Sequence, residues 1–600
     1  MSFMVEQSIR DDPLIAAPPA LLTFRRALFF FLVCLTIAGE IALSIYALSA
    51  NGFGFIDFVV VLLFAITLPW YVIGFWNAAI ALFIMRFSRP AASVTPAAGM
   101  VQGDERITAS TAILMCIRNE PPERTIRHLT PLLEGLVACG AADRFHLYLL
   151  SDTTEAAVAG PEEAHLRAFA DGWQGRIAVT YRRRSANTGF KAGNIRDFCD
   201  RWGGLHDFAV ALDADSVITA DVVLQLVRIM QADSRIGILQ TLVTGLPSRS
   251  AFARLFQFGM RLAMRSYTIG SAWWQGDCGP YWGHNAIVRI APFMAHCHLP
   301  LLPKGSLISG HVLSHDQIEA VLMRRAGYEV RVLAEEGDSF EQNPPTLIEF
   351  MRRDLRWCQG NMQYWHFLWI PGLKPVSRYQ LLLAILLFLG SPAWIALLII
   401  GTAAAAWAGS GSAFIRPQAG LVLLTTVLLT WFAPNIATMI DVLADPKLRY
   451  AFGGTVRFLA SFAAATIFSL LLVPIMWVGH TIFLVGLLFG RKVGWTVQAR
   501  DDHAVPWALA ARQFWPQTVL GLAVVSALAV TAPLAIPYAL FIAGGPLLSI
   551  PLAVWSASAS VGGTLLRIGL GRLPEETMPP PSLAEIVPPT DATAFSRAPA

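Results

Sequence analysis

Charged side chains are scarce. Asp, Glu, Lys and Arg make up 14% of the 600 residues against 55% hydrophobic, a balance too apolar for a soluble enzyme. Cysteine is sparse as well: residues 34, 116, 139, 199, 278, 297 and 358 form no CxxC pair, which leaves free thiols as the default. No GxGxxG follows the first strand-like segment, so a dinucleotide site of the usual kind is not supported. No small-residue cleavage site follows a short apolar core near the N-terminus, which argues against a cleavable signal peptide. The net charge of +4 reflects membrane topology rather than a nucleic-acid footprint, and no nucleic-acid partner is expected.

What the chain has instead is length in apolar runs. Residues 27–48 and 56–85 are two of them, and nearly everything from 379 to 560 is apolar again. Runs of roughly 20 such residues match the hydrocarbon core of a bilayer. The predicted division is a tail at 1–24, two membrane helices in 25–87, a soluble domain at 88–378, a membrane block at 379–560 and a second tail at 561–600. Arg25 and Arg26 precede the first run, Arg86 and Arg89 follow the second, and the loop around Asn51 has no Lys or Arg. This pattern places the soluble domain and both tails in the cytoplasm. The loops holding Lys447, Arg449 and Arg457, and Arg491, Lys492, Arg500 and Arg512, also read as cytoplasmic. The run 456–490 must then cross twice, or form a re-entrant or interfacial segment. With a hairpin in 514–558, eight crossings are expected, two before the domain and six after it.

Inside 88–378, strand-like segments alternate with helical spacing. Thr111–Ile117, Phe145–Leu150, Ile177–Tyr181 and Phe208–Leu212 read as buried strands, predicting an α/β domain with a doubly wound, mostly parallel sheet. In such sheets ligands bind at the carboxyl ends of the strands, where Glu120, Asp152 and Asp213 fall. Asp213-Ala214-Asp215 puts two carboxylates on one face of an extended chain, able to share a hard divalent cation. A strand ending in a polar turn is the plainer reading of a DxD taken alone. The stretch 273–285 is rich in aromatics and glycine; Trp282, Gly283 and His284 suit a sugar acceptor site or a packed aromatic loop.

Four motifs occur in order: Asp152 after a strand, Asp213-Ala214-Asp215, Ser314-His315-Asp316, and Arg353-Asp354-Leu355-Arg356-Trp357 ahead of a membrane block. Together they resemble the processive family 2 glycosyltransferases, membrane enzymes with a GT-A catalytic domain. The segments Trp282-Gly283-His284-Asn285-Ala286 and Arg356-Trp357-Cys358-Gln359-Gly360-Asn361 look like the branch that builds osmoregulated periplasmic glucans. The resemblance implies inverting, processive transfer of glucose from UDP-glucose to a growing β-1,2 glucan at a bacterial inner membrane. It implies that Asp213 and Asp215 hold Mg2+ or Mn2+, that Asp316 is the general base, and that His315 is structural. Glu120, Asp152, Lys191, Asp213, Arg353 and Arg356 would bind the donor, and Trp357, Trp282, Gly283 and His284 the acceptor. Arg353 stands where the usual processive motif begins with Gln, a departure that weakens transfer from cellulose or hyaluronan synthases. Val493-Gly494-Trp495-Thr496-Val497 resembles a gating loop, with Trp495, Thr496 and Val497 closing over the nucleotide within the cytoplasmic loop 491–513. Acyl carrier protein and a periplasmic glucan-processing protein are further implied partners.

Two other readings remain open. One is a synthase of another β-linked polysaccharide, or a transferase adding a single sugar to a lipid carrier. The other is a transporter, which the sparse intramembrane charges (Glu40 and edge residues such as Asp441) argue against.

Overall fold

The computed structural model describes residues 19–303, 308–408, 415–494 and 499–586. The α/β domain is built, among the described residues, on eight strands: β1 Thr111–Ile117, β2 Phe145–Ser151, β3 Ala178–Arg183, β4 Phe208–Asp213, β5 Ser216–Ile218, β6 Ile236–Gly245, β7 Ala286–Arg289 and β8 Glu329–Glu341. They form one sheet in the order β3-β2-β1-β4-β7-β6-β8-β5. Continuous apolar runs make the central strands because both faces are covered. Ile113, Met115, Leu147, Leu149, Val210 and Leu212 enter one core, while Ala112, Leu114, Tyr148, Leu150 and Ala209 enter the other. The alternation is that of a pleated strand buried on two sides.

The mostly parallel sheet expected from the sequence is in fact mixed. β3, β2, β1 and β4 run parallel, whereas β7 is antiparallel to both β4 and β6. The long helix Ala251–Gln275 and the glycine-rich stretch after it return the chain to the end of the sheet that β6 had just left. A strand entering there needs no crossover and pairs antiparallel.

Among the described residues six helices are long and apolar enough to cross a membrane: Ala20–Asn51, Phe55–Phe87, Pro375–Trp407, Pro417–Ala444, Thr455–Leu488 and Trp507–Thr531. A seventh candidate is the pair Pro533–Leu547 and Ser549–Ser556, bent by 53°. Eight crossings are therefore not reached. The difference lies in 456–490, which is one continuous helix with Pro474 inside it. Near its start Phe458 packs with Phe258 and Leu262, and Ser461 Oγ accepts from Gly571 N at 2.9 Å. Toward its end His480 pairs with Asp354, and just beyond it Val493 N donates to Gln359 Oε1 at 2.7 Å. The helix is thus held by the α/β domain near both ends, and it is one helix rather than a crossing pair. Leu583, beyond the last apolar helices, packs in a cluster with Val217 and Phe340 of the domain.

Two anchors fix the domain, one to these helices and one to the C-terminal segment that follows them. Trp274 stacks on Phe29 at 4.2 Å and donates to Asn77 Oδ1 at 2.9 Å, while Arg26 pairs with Asp277 at 2.5 Å. The second anchor is a sealed ion pair: Arg254 meets Glu576 at 2.7 and 3.0 Å, each side chain 1% exposed. Removing one partner strands a buried charge. Glu576→Ala is expected to cost about 3–5 kcal/mol, read as a lowered melting temperature in detergent.

Candidate active site

Asp213 closes β4, and its N–H donates to Ser216 Oγ at 3.0 Å, so the turn carrying Asp215 folds back under the strand. Lys191 arrives from the first turn of the helix Phe190–Trp202, behind a tight loop in which Gly189 has φ 72°. Its Nζ donates to Asp213 Oδ1 and, at 2.6 Å, to the carbonyl of Gly283. Burial works against the ammonium charge, but Asp213 and Asp316 outweigh it and hold Lys191 above its ordinary value. Asp213 is held below the usual carboxylate range, Lys191 overriding the effect of burial.

Asp215 has a partner that its local sequence gives no sign of. Arg500, from the stretch preceding the helix Trp507–Thr531, pairs with Asp215 Oδ2 and places its Nε 3.3 Å from Glu120 Oε1. The same stretch is tied down by Arg124 to Asp501 at 2.5 Å and by Gln342 Nε2 to the Arg500 carbonyl at 3.0 Å. Burial opposes the guanidinium charge, yet Asp215 and Glu120 raise Arg500 above its ordinary value. Glu120 itself is raised by burial, which Arg500 only partly offsets. Trp495, Thr496 and Val497 lie outside the described residues.

Asp152, at the end of β2, stands in a bidentate pair with Arg184 at 2.6 and 2.7 Å. Arg184 also donates to the carbonyls of Thr188 and Phe190, which ties Asp152 to the Lys191 loop. A donor base or ribose reaching Asp152 would share it with that arginine.

Asp316 opens the helix Asp316–Arg325 and its side chain is 28% exposed. Gly283, at φ 80°, lies against it so closely that an added Cβ would overlap the carboxylate. Trp282 is half-buried and donates its N–H to Gln240 Oε1 at 2.8 Å. His284 Nε2 faces Glu341 at 3.6 Å. Residues His315, Asp316 and Glu319 also form a compact group whose potential ligand atoms lie within 4.8 Å of one another.

The helix Leu347–Met362 supplies the far wall. Gly360 abuts Ser314, and Gln363 Oε1 accepts from Leu313 N at 2.8 Å, which sets this helix beside Asp316. Arg353 is buried under Trp357, with its guanidinium 4.7 Å from the ring centre, while Trp357 stays 47% exposed. Burial, then the neighbouring charges of Arg353, Arg500 and Arg118, bring Arg356 down to about 10. So much positive charge in one place favours a polyanion. On the opposite face Asp354 pairs with His480, whose Nδ1 lies 3.0 Å from Ser391 Oγ. A buried chain thus joins the Arg/Trp helix to two apolar helices.

The structure therefore gathers Asp213, Asp215, Glu120, Lys191, Gly283, Asp316, Arg353 and Arg356 around one cleft and leaves Trp357 open beside it. Asp213 and Asp215 supply carboxylate oxygens of the kind a hard divalent cation takes, and their charge is met here by Lys191 and Arg500. Arg500, Arg184, Glu319 and His480 are not singled out by the sequence motifs. Of these only Arg500 carries a signal, its place in a basic loop predicted to lie beside the domain.

Residues 209–443 match the family model described as Glycosyl transferase family group 2. That segment is thus similar to family 2 glycosyl transferase domains, and it lies among membrane-length helices. Across 87% of its length it is 34% identical to proteins named glucans biosynthesis glucosyltransferase H from Pseudomonas entomophila and Pseudomonas paraeruginosa. It spans 63% and 62% of the length of those two relatives. The fold also aligns with the mannosyltransferase PcManGT from Pyrobaculum calidifontis in complex with GDP-Man and Mn2+. That match is 16% identical with a TM-score of 0.38, over 62% of this chain and 99% of that one.

Proposed function

We propose that this chain is an inverting, processive glucosyltransferase that extends a β-1,2 glucan from UDP-glucose. The carrying observation is the convergence of Asp213, Asp215 and Asp316 with the Arg353/Arg356/Arg500 cluster in one cleft. In the proposed reaction the acceptor hydroxyl attacks C1 of the donor while Asp316 takes its proton. The new O–C1 bond forms as the C1–phosphate oxygen bond breaks, and the electron pair leaves on UDP. One base and direct attack invert the anomeric centre. Asp213 and Asp215 would hold a divalent cation, which supplies charge neutralisation for the departing diphosphate. Arg356 and Arg353 face the same negative charge, Lys191 keeps Asp213 and the Gly283 carbonyl in place, and Trp357 offers its open ring to the terminal sugar. Glu120 and Asp152 border the donor pocket.

The apolar helices suit a multi-pass protein of the bacterial inner membrane with its catalytic domain in the cytoplasm and the glucan exported through the bundle. Acyl carrier protein and a periplasmic glucan-processing protein are the partners this reading implies.

The test is UDP release by the purified full chain from a panel of UDP-sugars, with Mg2+ or Mn2+ and with EDTA. Release from UDP-glucose that EDTA abolishes is expected. Turnover of a different UDP-sugar alone would discard glucose as the substrate. Arg500→Gln should tighten donor-free Mn2+ binding by calorimetry on the order of tenfold, the worth of about one charged hydrogen bond. Unchanged Mn2+ affinity would mean that Asp215 does not hold the cation.

A further inference from the structure

His315 and Glu319 lie outside every role described so far, and their placement is unusual. Both are sealed, at 5% and 3% exposure, whereas the adjoining Asp316 is open to the cleft. His315 Nδ1 is shared between Glu319 Oε2 at 3.0 Å and Asp316 Oδ1 at 3.3 Å. The first turn of a helix allows this: residues 315 and 319 are i and i+4, stacked on one face. An acceptor hydroxyl can therefore reach only Asp316, with the imidazole behind it and Gly283 in front, where the absence of a Cβ leaves room for the carboxylate.

We propose that His315 is a positioning residue: anchored by the buried Glu319 carboxylate, its imidazolium holds the Asp316 carboxylate toward the acceptor hydroxyl. The inference rests on the proposed reading of Asp316 as the base. Burying a His–Glu pair costs solvation, and what the pair provides in return is a fixed geometry behind Asp316. The other titratable groups around it are Lys191 from the helix Phe190–Trp202, Tyr281 ahead of β7, Tyr364 beyond the helix Leu347–Met362, and Cys297, whose Sγ donates to the Glu319 carbonyl. Burial lowers the affinity of His315 for a proton, but Asp316 and Glu319 overcome it and lift the group to about 9. The imidazolium is therefore present at neutral pH and lost as pH rises through that value. Without it the two carboxylates repel and Asp316 loses its orientation.

The experiment pairs the pH dependence of kcat for UDP release with NMR titration of ring-labelled histidine in the donor-free full chain. His315→Ala is expected to lower kcat about a hundredfold, an ångström-scale misplacement of the base. His315→Asn retains a neutral donor at the Nδ1 position but not the charge, so it should recover only a small part of that loss and show no alkaline limb near 9. In Glu319→Gln the limb and the His315 resonance should both move to lower pH by about one unit. A His315 resonance titrating near the ordinary value overturns the pairing whether or not the protein turns over UDP-glucose. Equal kcat and unchanged pH profiles in all three variants overturn the positioning role while leaving the proposed reaction intact. Stoichiometric metal in the purified protein, lost in His315→Asn, would show coordination in place of the ion pair and likewise overturn it.

Discussion

Asp316→Asn is expected to reduce turnover by about a thousandfold while leaving UDP-glucose affinity nearly unchanged. The amide keeps the size of the carboxylate and its place at the start of the helix Asp316–Arg325, so folding should survive. It cannot accept the acceptor proton, and the neighbouring acids offer no substitute: Glu319 is sealed and Asp213 is engaged by Lys191. In the proposed reaction donor binding rests on the arginine cluster and the Asp213/Asp215 pair rather than on Asp316. Calorimetry with UDP beside single-turnover kinetics separates the two effects. A parallel loss of UDP affinity would mean that the substitution had disturbed the whole cleft rather than the base.

Gly283→Ala carries the second large effect, and it acts through the same carboxylate. The backbone at φ 80° disfavours any side chain, at a cost of about 1–2 kcal/mol. The added methyl would also occupy the space of the Asp316 carboxylate. Either the base moves, or the Gly283 carbonyl moves and releases Lys191, which it holds at 2.6 Å. A fall in kcat of about a hundredfold is expected, since displacement of a base by an ångström is that costly. Combining it with Asp316→Asn should add little, because both changes remove one interaction. Additive losses in the double variant would place the damage elsewhere.

Much of this cleft is legible in the sequence because strand ends and motifs coincide. The apolar run Phe208–Leu212 followed by two carboxylates fixes Asp213 and Asp215 at the end of β4, and the structure sets Glu120 and Asp152 at neighbouring strand ends. What local pattern cannot carry is contact across the chain. Arg500 meets Asp215 across 285 residues of sequence, and His480 meets Asp354 across 126. No periodicity within either segment encodes those meetings. Trp274 shows the reverse: the aromatic stretch suggested sugar binding, yet this ring is spent on Phe29 and Asn77, joining the domain to its first two apolar helices. Continuity is likewise a property of the folded chain: the basic loops called for two crossings, or a re-entrant or interfacial segment, in 456–490, and Thr455–Leu488 is one unbroken helix of membrane-spanning length. His315 follows the same rule, since its role depends on Glu319 one helical turn away and on the sealing of both, neither visible in a three-residue motif.

The most direct measurement is linkage analysis of the product made by the purified protein from radiolabelled UDP-glucose and Mg2+, beside Asp316→Asn. A β-1,2-linked glucan from the unaltered chain, absent with the variant, is the expected result. A β-1,4-linked glucan would contradict the proposed product, and full activity in the variant would contradict the proposed base.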